Sequence, residues 1–136
     1  MSFLGTRAGL FANLALVIQI TGFIILCLGI VYAKRKDFLK HFALERVTVL
    51  LAVIAFLWMG SSLLIYFKAL IFHLTAVSNL LTVFHVIIGI LALLSGIFLA
   101  FDRLIKKTGN SMRTMFLLWS AALFLGIAVY MIYYVL

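Results

Sequence analysis

The chain has no proline, one cysteine and three acidic residues among its 136 residues. Without proline, no helix is forced to bend by a missing backbone N–H. The single cysteine, Cys27, excludes an internal disulfide and gives no firm indication of redox compartment. Three acidic residues leave few candidates for acid–base catalysis, and no Ser-His-Asp set, P-loop or zincin helix can be drawn. We therefore expect a protein that is not an enzyme.

What the chain has in abundance is apolar sequence. It is 68% hydrophobic and 10% charged, whereas soluble domains are about a quarter charged. Lipid offers no partners for open sheet edges, and the runs lack the alternation of a barrel strand. Runs of about 23 residues cover roughly 35 Å as helices, which is enough to cross a bilayer. The sequence predicts one all-α domain over residues 1–136, an integral membrane four-helix antiparallel bundle with helices at about 10–33, 44–67, 78–101 and 114–136.

Lysine and arginine are distributed unevenly between the predicted loops. Nine of the eleven lie in or beside two segments: Lys34, Arg35, Lys36, Lys40 and Arg46, then Arg103, Lys106, Lys107 and Arg113. Basic residues favour the cytoplasmic side, so we expect loops 34–43 and 102–113 to be cytoplasmic and the topology to be N-out/C-out. Because the net charge of +8 lies between apolar runs, it indicates topology and not nucleic-acid binding.

The third run holds one ionisable residue, His85, on a face of small and polar residues at helical spacing. At a similar depth on the other helices lie further polar side chains. We expect an internal polar layer formed by Gln19, Ser61, Thr82, His85 and Tyr130. An ionisable residue at this depth is a functional candidate. Three interpretations stay open: a neutral histidine hydrogen-bonded within the bundle, a metal or haem ligand, and a proton or quinone contact.

The other two histidines fall outside this layer. His73 lies in the predicted outer loop and is the only histidine able to join His85 in binding one cofactor, with haem b or copper as candidates. No HxxxH or CxxC spacing supports such a site, and metal sites normally use three or four ligands. His41, Glu45 and Asp102 are expected at the inner interface, solvated, in weak charge pairs.

Several stretches resemble a small four-span bacterial and archaeal membrane family of formerly unknown function. They are KHFALERVTVLLAVIAFLWM at 40–59 with LIY at 64–66, FHVIIGILALL at 84–94, MFLLW at 115–119 and GIAVY at 126–130. By position, His41 and His85 match histidines of that family. Its bacterial members assist maturation of haem–copper terminal oxidases, which implies an accessory protein of a respiratory-type complex in a prokaryotic plasma membrane.

The leading functional hypothesis is an accessory subunit or assembly factor of a multi-subunit membrane redox complex. The chain has no sizeable soluble part, so we expect its partners to be other membrane subunits and lipid, in a hetero-oligomer and without nucleic acid. One alternative is a small b-type cytochrome or metal-binding membrane protein that uses His85. Another is a transporter of a small solute or of protons, although such proteins usually show repeats or broken helices.

Overall fold

The computed structural model describes residues 4–72, 76–101, 104 and 106–136, and these residues form four α-helices and no strand. The helices are α1 (Leu10–Lys34), α2 (Phe38–Phe72), α3 (Val77–Ala100) and α4 (Gly109–Tyr134). All four are long and apolar enough to cross a membrane. The prediction of an all-α fold with four potential membrane spans is therefore confirmed.

Two helices begin earlier than the apolar runs indicate. Helix α2 begins at Phe38, because the segment around Lys40 is helical too, and it ends at Phe72, which gives it 35 residues. The Asp37 carboxylate accepts the N–H of Lys40 at 3.3 Å, which satisfies one unpaired donor of the first turn. Helix α4 begins at Gly109 after Thr108, whose side chain forms a capping box with Ser111. Apolarity marks the part of a helix that lipid covers, whereas capping groups mark where the helix begins.

Each helix lies beside two others: α1 packs on α2 and α4, and α3 packs on α4 and α2. The apolar core is small, and its main cluster consists of Leu26, Leu99 and Met115, with Phe23, Phe116 and Trp119 packed against it. Other buried apolar residues, including Val49, Ala55 and Leu123, lie outside this cluster. Most other large apolar side chains are exposed, including Leu64 and Ile65 on α2. An apolar exterior around a small core is expected where lipid replaces water as the solvent.

A close contact between α3 and α4 lies next to this core. The indole N–H of Trp119 donates to the carbonyl of Ala92 at 2.9 Å. A β-carbon on Gly96 would lie 3.1 Å from Cζ2 of Trp119 and 3.4 Å from Cγ2 of Val49 on α2. Glycine at this position therefore lets the indole of α4 lie against the backbone of α3, as small residues do at helix interfaces in membranes.

Candidate functional site

His85 is buried between α3 and α4, with 9% of its surface exposed. Its Nδ1 lies 2.9 Å from the backbone carbonyl oxygen of Ala122 on α4. A carbonyl oxygen can only accept, so Nδ1 carries a proton and donates it. In the neutral ring, Nε2 then keeps its lone pair, and the ring is held in the tautomer in which Nε2 can act as an acceptor or a metal ligand.

Gly126 provides the space for this histidine. A β-carbon at Gly126 would lie 2.8 Å from Cε1 of His85 and 3.2 Å from Oε1 of Gln19. Two side chains, one from α3 and one from α1, thus meet over the same glycine of α4. The Gln19 amide donates to the sulfur of Met59 on α2 at 3.0 Å. The structure brings His85 and Gln19 of the expected polar layer together.

The other members of that layer do not join them. Ser61 is exposed and its hydroxyl donates to the carbonyl of Trp58 at 2.7 Å. Thr82 donates to the carbonyl of Ser78 at 2.8 Å. Both bonds stay within the residue's own helix, which is a common use of hydroxyl side chains in helices. Neither hydrogen bond therefore reaches the imidazole, although Thr82 precedes His85 by one turn on α3.

Tyr130 is buried but belongs to a different polar cluster. Its hydroxyl donates to Oδ1 of Asn13 on α1 and lies 2.7 Å from the hydroxyl of Thr6. Asn13 has no exposed surface. Asn13 is not a member of the polar layer predicted from the sequence. Its amide in an apolar run was the available signal, because buried polar groups in membrane helices are normally hydrogen-bonded to a neighbouring helix.

A third group of polar residues, His41, Glu45 and Thr48, lies between α1 and α2, and its two ionisable members are more buried than the sequence predicts. His41 and Glu45 were expected to be solvated, but their exposed fractions are 6% and 2%, and Thr48 on the next turn has none. His41 Nδ1 lies 2.9 Å from the carbonyl oxygen of Gly29, and Thr48 donates to the carbonyl of Gly22 at 3.3 Å. The two glycines of α1 leave their carbonyls accessible, and these replace water as hydrogen-bond partners.

Asp37 does not pair with the buried histidine. Its carboxylate lies 3.1 Å from the ammonium of Lys40. The hydrogen bond from the Lys40 side chain, helped by the Lys40 backbone N–H, lowers the pKa of Asp37 below the usual 3.8. This solvated pair is the kind of contact that we expected at the interface, but it involves Lys40 and leaves His41 inside.

The two buried histidines form separate sites. His41 contacts Gly29 of α1, whereas His85 meets α1 near Gln19. Ten helical residues separate these positions, which corresponds to about 15 Å. A single ion or haem iron therefore cannot be bound by both imidazoles.

Two predicted site residues, His73 and Asp102, lie outside the described residues. Within residues 4–72, 76–101, 104 and 106–136, no group of three or more His, Cys, Asp or Glu side chains is arranged to hold a metal ion. Any metal or haem site here therefore starts from one or two protein ligands and needs water, a partner or a residue outside these ranges to complete it.

By fold and by length and apolarity of its helices, the chain falls in the class of multi-pass helical membrane proteins. It carries two buried histidines at different levels, each donating a ring N–H to a backbone carbonyl. No protein-family model, no curated protein and no solved structure matches the chain.

Proposed function

We propose that this protein is an accessory subunit or assembly factor of a multi-subunit membrane redox complex of the respiratory oxidase type, and is not itself an enzyme. The observation that carries the proposal is the unpacked end of α2. Helix α2 has 35 residues, against 24 to 26 in the other three helices. Among its described side chains, none after Ala55 is buried.

The contacts of α2 with α1 end well before the helix does. Phe11 lies edge-on to Trp58 with ring centroids 5.1 Å apart, and Gln19 bonds to Met59. Residues 60–72, the outer α2 segment, follow these contacts over about 20 Å. A helix that continues this far past its neighbour exposes a face that another subunit can cover.

The composition of the outer α2 segment suits a membrane-embedded helix as the partner. Leu64 is 80% exposed, Ile65 76% and Phe72 82%. Apolar area alone gives no driving force between helices in lipid, so close packing of small residues must supply it. Gly60, with no atom within 4 Å of a β-carbon built on it, and the exposed Ser61 beside it provide such a position.

The oxidase class of the partner complex rests on the resemblance of the stretches at 40–59, 84–94, 115–119 and 126–130. Location in a prokaryotic plasma membrane has the same basis. His41 and His85, which match histidines of that family by position, are both buried and hydrogen-bonded to backbone carbonyls. Buried ionisable residues in membrane helices are costly and mark functional positions.

The proposed topology is an antiparallel bundle, N-out/C-out, with loops 34–43 and 102–113 cytoplasmic. Neighbouring positions on α1 and α2 support the antiparallel order: Gly29 lies by His41, Gly22 by Leu51 and Phe11 by Trp58. The lysine and arginine distribution supports the orientation. Single cysteines introduced at Lys36 and Lys68 in a Cys27→Ala background test it. An impermeant thiol reagent on intact cells should label position 68 and not position 36; the reverse pattern contradicts the orientation.

The docking proposal is tested by co-purification from the native host in mild detergent. Gly60→Leu fills the small position of the outer α2 segment and should abolish recovery of the partner. Gly89→Leu is the matched control, because Gly89 also has nothing within 4 Å of a built β-carbon and lies in α3. The wild type and Gly89→Leu should recover oxidase subunits. Recovery of no oxidase subunit with the wild type, or of equal amounts with Gly60→Leu, contradicts the proposal.

A second candidate, a small b-type cytochrome or metal protein that uses His85, is favoured by one observation. The bond from Nδ1 to the Ala122 carbonyl orients the ring and leaves Nε2 as the potential ligand, which is how metal-binding histidines are usually held. The absorption spectrum of the purified protein decides between the two. A Soret band that disappears in His85→Ala supports the cytochrome, and a colourless, metal-free protein contradicts this candidate.

A further inference from the structure

Two basic segments of the chain meet at one end of the molecule. The first connects α1 to α2, and the second connects α3 to α4. The Lys107 ammonium lies 3.9 Å from the centre of the Phe42 ring on α2, so the second segment lies against the first turns of α2. The structure therefore brings together the two parts of the chain that hold nine of its eleven lysines and arginines.

The acidic residues neutralise only part of this charge. All three of them belong to the same parts of the sequence, which leaves six positive charges in excess. Asp37 pairs with Lys40 at 3.1 Å, and Glu45 is only 2% exposed, so these two carboxylates add little negative charge to the surface. The basic end surface consists of the basic residues that are exposed and form no ion pair with a described acidic residue: Lys34, Arg35, Lys36, Arg46, Lys106 and Arg113. An excess of one charge sign attracts anions to such a surface.

Exposed apolar side chains lie between these cations. Phe38 is 53% exposed and Leu39 87%, and they stand between Lys36 and Lys40 in the chain. On the second segment, Leu104 is 89% exposed. Apolar side chains interleaved with basic ones are typical of surfaces that lie at the boundary between lipid headgroups and acyl chains. A small water-soluble anion would have no use for the apolar side chains, so the combination favours a lipid.

We propose that the basic end surface binds the phosphates of anionic phospholipid headgroups, while Phe38, Leu39 and Leu104 reach the first part of the acyl chains. Clusters of lysine and arginine directly beside membrane-spanning helices bind anionic headgroups by electrostatic attraction. Because two segments contribute cations, both should add to the affinity. The inference uses only the charge and exposure at this end, so it depends neither on the proposed function nor on the side of the membrane that this end faces.

The test uses the full chain in a neutral detergent, with bound lipid counted by native mass spectrometry. We expect phosphatidylglycerol to bind at least about tenfold more tightly than phosphatidylcholine with the same acyl chains. The triple variant Lys34→Gln/Arg35→Gln/Lys36→Gln should lose at least about tenfold in affinity for phosphatidylglycerol, and Lys106→Gln/Arg113→Gln at least about fivefold. The matched control is Arg7→Gln/Lys68→Gln, which also removes two positive charges but outside the two basic segments, and it should bind as the wild type does.

Folding of each variant is checked by far-ultraviolet circular dichroism and by elution volume, and the comparison of the two lipids on the wild type needs no variant. Salt at about 1 M should release phosphatidylglycerol, because exposed charges are then screened within about 3 Å. Four results would overturn the proposal: equal affinity of the wild type for the two lipids, undiminished binding by both folded basic-segment variants, an equal loss in the control, or displacement of the lipid by equimolar inorganic phosphate or poly-glutamate. Displacement would indicate a free anion or an acidic protein instead.

Discussion

A β-carbon on Gly126 would lie 2.8 Å from Cε1 of His85, so the imidazole occupies space that only glycine leaves open. One turn earlier on α4, the carbonyl of Ala122 accepts the Nδ1–H of the same ring. The two positions on α4 together determine where the ring lies and which nitrogen carries the proton. The glycine is therefore part of the His85 site, although it has no side chain.

We predict that Gly126→Ala destabilises the protein by about 1–3 kcal/mol, the usual cost of overpacking an interior. The added methyl group would push the imidazole out of place and lengthen its bond to the Ala122 carbonyl. Unfolding in mixed detergent micelles, followed by circular dichroism, measures the change. Gly89→Ala is the control, since a β-carbon there meets nothing within 4 Å and alanine favours helix. Equal destabilisation by Gly126→Ala and Gly89→Ala would contradict the close contact between Gly126 and the His85 ring.

Tyr130→Phe should destabilise the bundle by roughly 1 kcal/mol, in the range found for interhelical hydrogen bonds in membranes. The substitution removes the hydroxyl that bonds to both Asn13 and Thr6 inside the bundle. Tyr133→Phe is the matched control, because its hydroxyl donates to Asn79 at 2.7 Å in an exposed setting. The same unfolding assay compares them. A loss in Tyr133→Phe as large as that in Tyr130→Phe would show that burial of the bond does not matter.

Trp119→Phe should destabilise the protein by about 1 kcal/mol, because phenylalanine keeps most of the ring but cannot donate to the Ala92 carbonyl. The indole N–H makes that bond at 2.9 Å. Trp58→Phe should change the stability less, because Trp58 contacts Phe11 of α1 through an edge-type packing of the two rings. A phenylalanine ring can keep that kind of contact. Thermal melting of both variants provides the measurement. A larger loss of stability in Trp58→Phe than in Trp119→Phe would contradict the prediction. It would mean that the α1–α2 contact contributes more to stability than the α3–α4 contact.

The Asp37–Lys40 pair should make a small contribution to stability that depends on pH. Hydrogen bonds from Lys40 lower the pKa of the Asp37 carboxyl in the folded protein below the usual 3.8. A lowered pKa means that the contribution is present above pH 3.8 and is lost as the pH falls through the folded-state value. Because the pair is exposed, we expect only a small shift in melting temperature.

Asp37→Asn separates the two roles of this residue, since asparagine can still accept the Lys40 N–H at the start of α2 but carries no charge. The difference in melting temperature between wild type and Asp37→Asn should be small near neutral pH and should vanish well below pH 3.8. Asp37→Ala, which removes both roles, should melt lower than Asp37→Asn at every pH. A wild-type advantage that grows on acidification would contradict the pKa direction.

The helices were predictable because long apolar runs without proline leave the backbone no alternative in lipid. The ends of the helices were not predictable from apolar runs. Helix α2, for example, begins at Phe38, before the apolar run, and continues to Phe72, beyond it. Hydropathy reports which residues lipid covers, and a helix can extend beyond that layer at either end.

Individual candidate residues were predictable from the sequence, but the hydrogen-bond partners that they meet on other helices were not. His85 was identified as an inward-facing imidazole because an ionisable side chain in an apolar run has few other places to point. The partners of Tyr130 and His41 were missed for a shared reason. Asn13 and the carbonyl of Gly29 become partners only when α1 packs against α4 and α2, and no spacing within one helix reports on that packing.

Composition and run length alone establish that the chain is helical, has four potential spans and holds few ionisable side chains within them, because they limit what a bilayer can accommodate. Which polar groups contact one another follows from the tertiary structure. It separated Ser61 from His85, placed Gln19 beside His85 at Gly126, and buried His41 against Gly29. The reason is that interhelical contacts depend on the rotation and offset of each helix, and glycines on the neighbouring helix set how close they come.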